Sequence, residues 1–261
     1  LAFGIASGAT SAAGLVTAIL SGLIIGGLSG ASFQISGPTG AMSAVLIIVA
    51  GRYGLQGVLV AGFLGGFIVL LIGVFRLGRV VSLIPRPVIT GFTSGIAIII
   101  FTGQIDNLLG VQTPAAENTL AKLLGYLRGG FAPSWQTLLC GAIVIGAIFL
   151  LPKAITKRVP GSLIGLVAAT LVAQVFGFSL PVIGDIPQTI LLDERLRIGP
   201  SLLQDVPNLI VPALSIAALG GIESLLCGAV CANATGKKMD SNQELIAQGL
   251  GNMLIPLFGG V

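Results

Sequence analysis

FQISGPTGAMS, residues 33 to 43, decides how this chain is read. It sits between two apolar stretches, and a helix in lipid has little use for Gly37-Pro38 followed by Thr39-Gly40. Proline lacks a backbone donor and glycine favours non-helical turns, so the backbone breaks here. The break is either a proline-capped loop at the membrane interface or the start of a helix inside the membrane.

The flanking sequence sets that choice in lipid. Of 261 residues, 54% are hydrophobic and only 8% charged, and the mean hydropathy is +1.05. Soluble domains carry about 25% charged residues, which excludes that class. Apolar runs lie near 12–30, 39–51, 54–75, 87–104, 135–151, 161–176, 207–231 and 242–258, after a partial one from Leu1 to Gly8. These helix-length blocks predict an all-α polytopic membrane protein and not a barrel of short alternating strands. The run at 39–51 is too short to cross about 30 Å of hydrocarbon at about 1.5 Å per residue.

The links between runs alternate in charge. Arg76, Arg79 and Arg86, then Lys153, Lys157 and Arg158, then Lys237 and Lys238 fall on one side of the membrane. The other side holds Arg52, Lys122, Arg128, Arg195 and Arg197 with Asp106, Glu117, Asp185, Asp193, Glu194 and Asp205. The positive-inside rule makes 76–86, 152–160 and 232–241 cytoplasmic. The first of these is expected to lie partly in the interface. Longer external links are expected near 105–134 and 177–206. Gly22/Gly26/Gly30 and Gly62/Gly66 recur at the four-residue spacing of ordinary close-packed membrane helices.

Several chemistries are excluded. With no histidine, neither HExxH nor Ser-His-Asp arrangements exist, and the chain is expected not to be an enzyme. Cys140, Cys227 and Cys231 lie in apolar segments and read as packing residues. ATGKK lacks the first glycine and the Ser/Thr of a phosphate-binding loop. No basic-aromatic patch points to nucleic acid. Ser241 with Glu244 matches a capping box that starts the last helix.

Two features carry chemistry. Ala31–Ser36 (ASFQIS) alternates and reads as extended, which puts Pro38 at or just before the first turn of the short helix, where its missing donor costs nothing. Thr39, Gly40 and Ala41 then offer backbone N–H groups at a positive helix end, a ready anion site if the break lines a cavity. The second feature is Glu223, in a run free of other charge from Val206 to Gly236. A carboxylate there costs about 3 kcal/mol unless solvated, paired or protonated, which makes it a functional residue by default. Glu223 reads as a Na⁺ ligand or a proton-binding carboxyl, and no other metal site is expected.

SGASFQISGPTGAM, GGIESLLCG and SNQELIAQGLGNMLIPLFGG together resemble the SulP anion transporter family, solute carrier family 26 in animals, across the whole chain. The resemblance implies a prokaryotic member, expected in a bacterial inner membrane, and a uracil-permease-like fold of two inverted repeats of seven segments with broken half-helices. It places the first repeat at about 1–176, lacking part of its first span, and the start of the second at about 207–261. With Leu1 opening mid-run and an abrupt end at Val261, the chain is expected to be part of a transmembrane domain, without the C-terminal STAS domain. Phe3, Thr39, Gly40 and Ala41 match the anion-binding positions. Glu223 matches the coupling acid, with Ser224 and Cys227 as neighbours. In sodium-coupled bicarbonate members that acid is Asp, followed four residues later by Thr; Cys227 stands there instead, which leaves H⁺ and Na⁺ both open. The implied activity is secondary active transport of sulfate, bicarbonate or a dicarboxylate by alternating access, in a protein expected to be a homodimer at full length. No cofactor is expected beyond the coupling ion. The rival readings are a nucleobase permease of the same fold and an anion channel or motor-like relative.

Overall fold

The computed structural model describes residues 2–37, 39–78, 86–111, 125, 132–180, 187–197 and 199–261. Among them there is helix and no strand. The chain divides into two compact units, 1–96 with 183–261 and, separately, 97–182.

The first unit is built around α3, Gly40–Val74, after α1 (Ala2–Ala6) and α2 (Ser11–Leu28). Gly54 interrupts α3 with φ 68 and ψ −174, a conformation that costs L side chains and suits glycine. That break separates the short helix expected from 39–51 from the longer one that follows. The link before it differs from a plain extended strand: Ser32 and Phe33 turn, Phe33 at φ 66, and Gln34–Ser36 run on without helix. Pro38 lies outside the described residues.

Two further helices pack along α3: α8 (Pro200–Thr235) and α9 (Ser241–Leu254). In lipid the hydrophobic effect does not drive helices together, so close van der Waals approach must hold them. Glycine supplies it. A Cβ on Gly66 would fall 2.8 Å from the Asn252 carbonyl carbon, and one on Gly249 2.4 Å from the Leu70 amide nitrogen. Gly62 makes only ordinary contact with Pro256, and Gly22 and Gly26 face open space. Gly30 is pressed against the start of α9. Core clusters join both parts of α3 to α8 (Leu46, Leu59, Leu209, Ile216) and α2 to α9 (Val16, Leu20, Ala247, Ile255).

The start of α9 corrects the capping-box reading. Asp240, not Ser241, is the cap; its Oδ1 accepts from the Asn242 and Gln243 amides at 3.0 and 3.1 Å. Glu244 is thereby free to turn inward, and it is fully buried. Asp is the better cap because it is charged at the positive helix end, so it wins the position by one residue.

The links are shorter than expected, since α4 (Arg86–Leu109) runs past 105 and α8 starts at Pro200. Part of the second long link is an ordered arm: the Leu192 amide donates to Phe258 O at 3.0 Å and the Leu196 amide to Pro256 O at 2.8 Å. That arm closes over the 3-10 turn Ile255–Phe258 and buries Leu196. Arg79, Glu117, Lys122, Arg128 and Asp185 lie outside the described residues, as does the interfacial reading of 79–85.

The second unit holds the rest of α4, then α5 (Trp135–Leu150), the turn-length α6 (Lys153–Thr156) and α7 (Gly161–Val175). α5 and α7 form a hairpin in which a Cβ on Gly165 would meet Val144 Cα at 2.8 Å. Trp135 and Phe178 stack edge to face at 5.1 Å. Leu150 is 83% exposed and Val175 78%, a surface for lipid and not for water.

Candidate functional site

α3 begins at the wall of a cavity of about 170 Å³ within the first unit. Thr39, with extended backbone, caps the helix: its Oγ1 accepts from the Met42 amide at 3.2 Å. That leaves the Gly40 and Ala41 amides as the ones an α-helix cannot satisfy from within. The same Thr39 hydroxyl donates to Glu223 Oε2 at 3.1 Å. One short side chain therefore ties the positive end of a helix to the mid-helix carboxylate of α8.

The rest of the polar wall comes from Ser7 after α1, Thr17 and Ser21 of α2, Gln34 and Ser36 of the link, Ser224 and Cys227 of α8, and Gln248 and Asn252 of α9. Met42, Leu46, Leu59 and Ile216 supply apolar wall. Among the described residues no Lys or Arg lines it. α2 carries a π-turn, Ser21–Ile25, where it passes the cavity, and there the Ser21 hydroxyl donates to Ser36 O at 2.8 Å. Such single-turn distortions reorient side chains locally.

The structure thus brings together Thr39, Glu223, Ser224 and Cys227. Gly40 and Ala41 form the first turn behind Thr39, with Ala41 buried, and neither lines the cavity. Phe3 is half-buried outside the cavity lining; its carbonyl accepts from Ser7 Oγ at 2.7 Å and Ser43 Oγ at 3.2 Å, fastening α1 to the short part of α3.

The residues that sequence reasoning missed are Gln34, Glu244 and Gln248. Ser224 donates to Glu244 Oε1 at 2.7 Å, Gln248 donates to the same oxygen at 2.9 Å and Ser29 donates to Oε2. Gln34 donates to Ser224 Oγ at 3.1 Å, and Gln248 to Ser36 Oγ at 2.9 Å. A signal existed: Glu244, Gln248 and Asn252 recur every four residues, a polar stripe on one face of α9.

A helix broken at a polar cavity, beside a carboxylate on a long apolar helix, defines an integral membrane protein with an internal polar site. Among the described residues three helices are long and apolar enough to cross a membrane: Ser11–Leu28, Val45–Val74 and Val206–Thr235. The chain belongs to the sulfate permease family, whose profile matches residues 1–261, in agreement with the SulP resemblance of its three motifs. It is 38% identical over 268 residues to the "Putative sulfate transporter YvdB" of Bacillus subtilis, covering 100% of this chain and 50% of that protein. It is 33% identical to the "Bicarbonate transporter BicA" of Picosynechococcus, covering 100% of this chain and 48% of that one. The chain spans about half the length of the curated relatives it matches.

Solved structures agree on the fold. The transmembrane domain of a cyanobacterial bicarbonate transporter, BicA, superposes with a TM-score of 0.85 at 29% identity, over 100% of this chain and 68% of that one. Murine Slc26a9 in its inward-facing state gives 0.78 at 18% identity, over 99% and 47%, a likeness of fold alone. The fold is the inverted-repeat fold of these transmembrane domains.

Proposed function

We propose that the chain is part of the transmembrane domain of a secondary active anion transporter that works by alternating access. The substrate is a small inorganic anion or carboxylate: sulfate, bicarbonate or a dicarboxylate. The names of the relatives support that class, and the observation that carries the reading is the Thr39–Glu223 hydrogen bond at the cavity wall.

The electrostatics give a coupling rule. With no lysine or arginine in the lining among the described residues, an anion is held at the positive end of α3, where Thr39 meets the cavity. An ionised Glu223 occupies the Thr39 hydroxyl and repels a second negative charge in a medium where charges are poorly screened. When Glu223 takes up H⁺ or Na⁺ its charge is cancelled, and the helix end is left for the anion. Cation and anion then bind together or not at all. Phe3, Gly40 and Ala41 act in this scheme as the frame around Thr39. The site operates in a bacterial inner membrane with 152–160 and 232–241 cytoplasmic, where Lys153, Lys157, Arg158, Lys237 and Lys238 cluster.

The test uses the full-length protein in proteoliposomes with sulfate, bicarbonate and dicarboxylate, with and without Na⁺ and a proton gradient. Glu223→Gln is expected to abolish cation-driven uptake and to leave exchange or binding partly intact; unchanged pH and Na⁺ dependence sinks the coupling role. Gly40→Leu is expected to block uptake, and normal uptake by that variant refutes the anion site. Competition by uracil and not by sulfate assigns the chain to the nucleobase class instead.

A further inference from the structure

Among the described residues the cavity has no lysine or arginine in its lining, so an anion must find its donors in neutral side chains and the helix end. Most side-chain donors there are already spent inside the protein. The Thr17 hydroxyl donates to Ala13 O at 2.7 Å, Ser21 to Ser36 O, Thr39 to Glu223 and Ser224 to Glu244. Gln34 Nε2 donates to Ser224. Gln248 Nε2 spends both its hydrogens, on Ser36 Oγ and Glu244 Oε1, each at 2.9 Å. Asn252 differs. It lines the same cavity, and its side-chain amide has no hydrogen-bond partner among the described residues.

Asparagine inside a helix is a poor choice, because its side chain competes for nearby backbone groups. Within α9 Asn252 makes no such bond, so the helix carries the cost without a structural return. Packing nevertheless fixes where it stands. A Cβ on Gly66 would fall 2.8 Å from Asn252 Cβ, so α3 carries a glycine where Asn252 arrives. Both parts of α3 line the cavity, the first with Thr39 and Met42, the second with Leu59 and Gly62. Gly66 lies one turn beyond Gly62. Thr39 therefore meets the cavity at the start of the first part, and Asn252 meets it along the second. An amide unpaired on both edges suits a particular partner. Its Nδ2 donates and its Oδ1 accepts, side by side in one plane. Bicarbonate is the complement, a planar anion with a hydroxyl beside a charged oxygen. The two close a ring of two hydrogen bonds, Nδ2–H to the oxygen and the anion's O–H to Oδ1. Sulfate is tetrahedral and brings no hydrogen at neutral pH, so it takes the first bond and leaves Oδ1 unpaired.

We propose that Asn252 is a specificity-determining residue, which pairs edge to edge with a planar oxyanion that carries a hydrogen and so favours bicarbonate over sulfate. This rests on the anion-transport reading and deepens it, by naming the side chain that reads the anion's hydroxyl. The charged oxygens of the anion lie toward the start of α3, and the hydroxyl lies toward α9. A site built to bond a substrate hydroxyl discriminates against the analogue that lacks it, because its own acceptor is then left unpaired. Sulfate remains a substrate, held by the helix end and one amide bond.

The experiment measures uptake of labelled bicarbonate and of labelled sulfate into proteoliposomes of the full-length protein, at one mildly alkaline pH where bicarbonate predominates. Unlabelled bicarbonate and nitrate compete with the bicarbonate label. Nitrate is the decisive probe: it is planar and singly charged like bicarbonate but has no hydrogen. In wild type nitrate is expected to need about tenfold more than bicarbonate for half-inhibition, the worth of one good hydrogen bond. Asn252→Ala is expected to raise the KM for bicarbonate about tenfold, to leave inhibition by nitrate within about threefold of wild type, and so to close the gap. A merely structural role for Asn252 moves both anions together. That outcome overturns the proposal, as does nitrate competing as well as bicarbonate in wild type. The wild-type comparison needs no variant, so it decides even if Asn252→Ala fails to fold. A wild type that moves sulfate and not bicarbonate also overturns the proposal, whereas one that moves neither anion overturns the transport reading instead.

Discussion

α3 and α9 of the first unit each start on a capping side chain, and these two caps differ by one charge. Asp240 accepts from two amides of α9 and sets a carboxylate at its positive end. Thr39 accepts from one amide of α3 and brings no charge. The first start is electrically closed, whereas the second keeps amides and partial positive charge in hand. Both bear on a cavity: Asp240 lines one near Gly73, Arg76 and Gln243, and Thr39 lines the one that contains Glu223. Only the second has a neutral helix end to offer an anion. The comparison teaches that the short part of α3 is left under-capped where a stronger cap was chemically available.

Thr39→Asp breaks the difference most directly. Asp is at least as good a cap as Thr, so the helix start is expected to hold and the thermal midpoint to stay near wild type. The added carboxylate occupies the charge that the anion needs and stands beside Glu223. Sulfate uptake is expected to fall by about 100-fold, equivalent to roughly 2.8 kcal/mol of binding. A stable Thr39→Asp protein with ordinary uptake would remove the anion from this helix end. Thr39→Val is milder. It loses the cap, worth about 1 kcal/mol, and the donor to Glu223, so the response of uptake to the driving cation should shift while some uptake survives. Titrating initial rates against Na⁺ and pH reads that shift.

How much of this was legible follows the same contrast. The break at Gly37–Thr39, the short helix after it and the isolated Glu223 are local facts of composition and could be read directly. The kink at Gly54 fell where the apolar runs separate. What could not be read was partnership. Thr39 meets Glu223, and Ser29 and Ser224 meet Glu244, across separations of about 20 to 215 residues that no spacing rule encodes. Glu244 was misassigned because Ser241-x-x-Glu244 satisfies a capping pattern, and a cap one residue earlier satisfies it better. The ordered arm at Leu192–Leu196 was hidden for a related reason: its polar, proline-flanked composition reads as a loop, and its order comes from two backbone bonds to the turn at 255–258.

The smallest predicted effect tests the closed cap. Asp240→Thr installs at α9 the side chain that α3 uses. Two hydrogen bonds accepted from amides become one, and the favourable charge at the helix end is lost, at a cost of about 0.5–1 kcal/mol. The bond from the residue 240 amide to Gly30 O is backbone and survives the change. The thermal midpoint in detergent should therefore drop by roughly 2–4 °C, with sulfate uptake within about twofold of wild type. A large loss of uptake with an unshifted midpoint would mean that the charge at Asp240 acts on transport. The two helix starts would then differ in degree and not in kind.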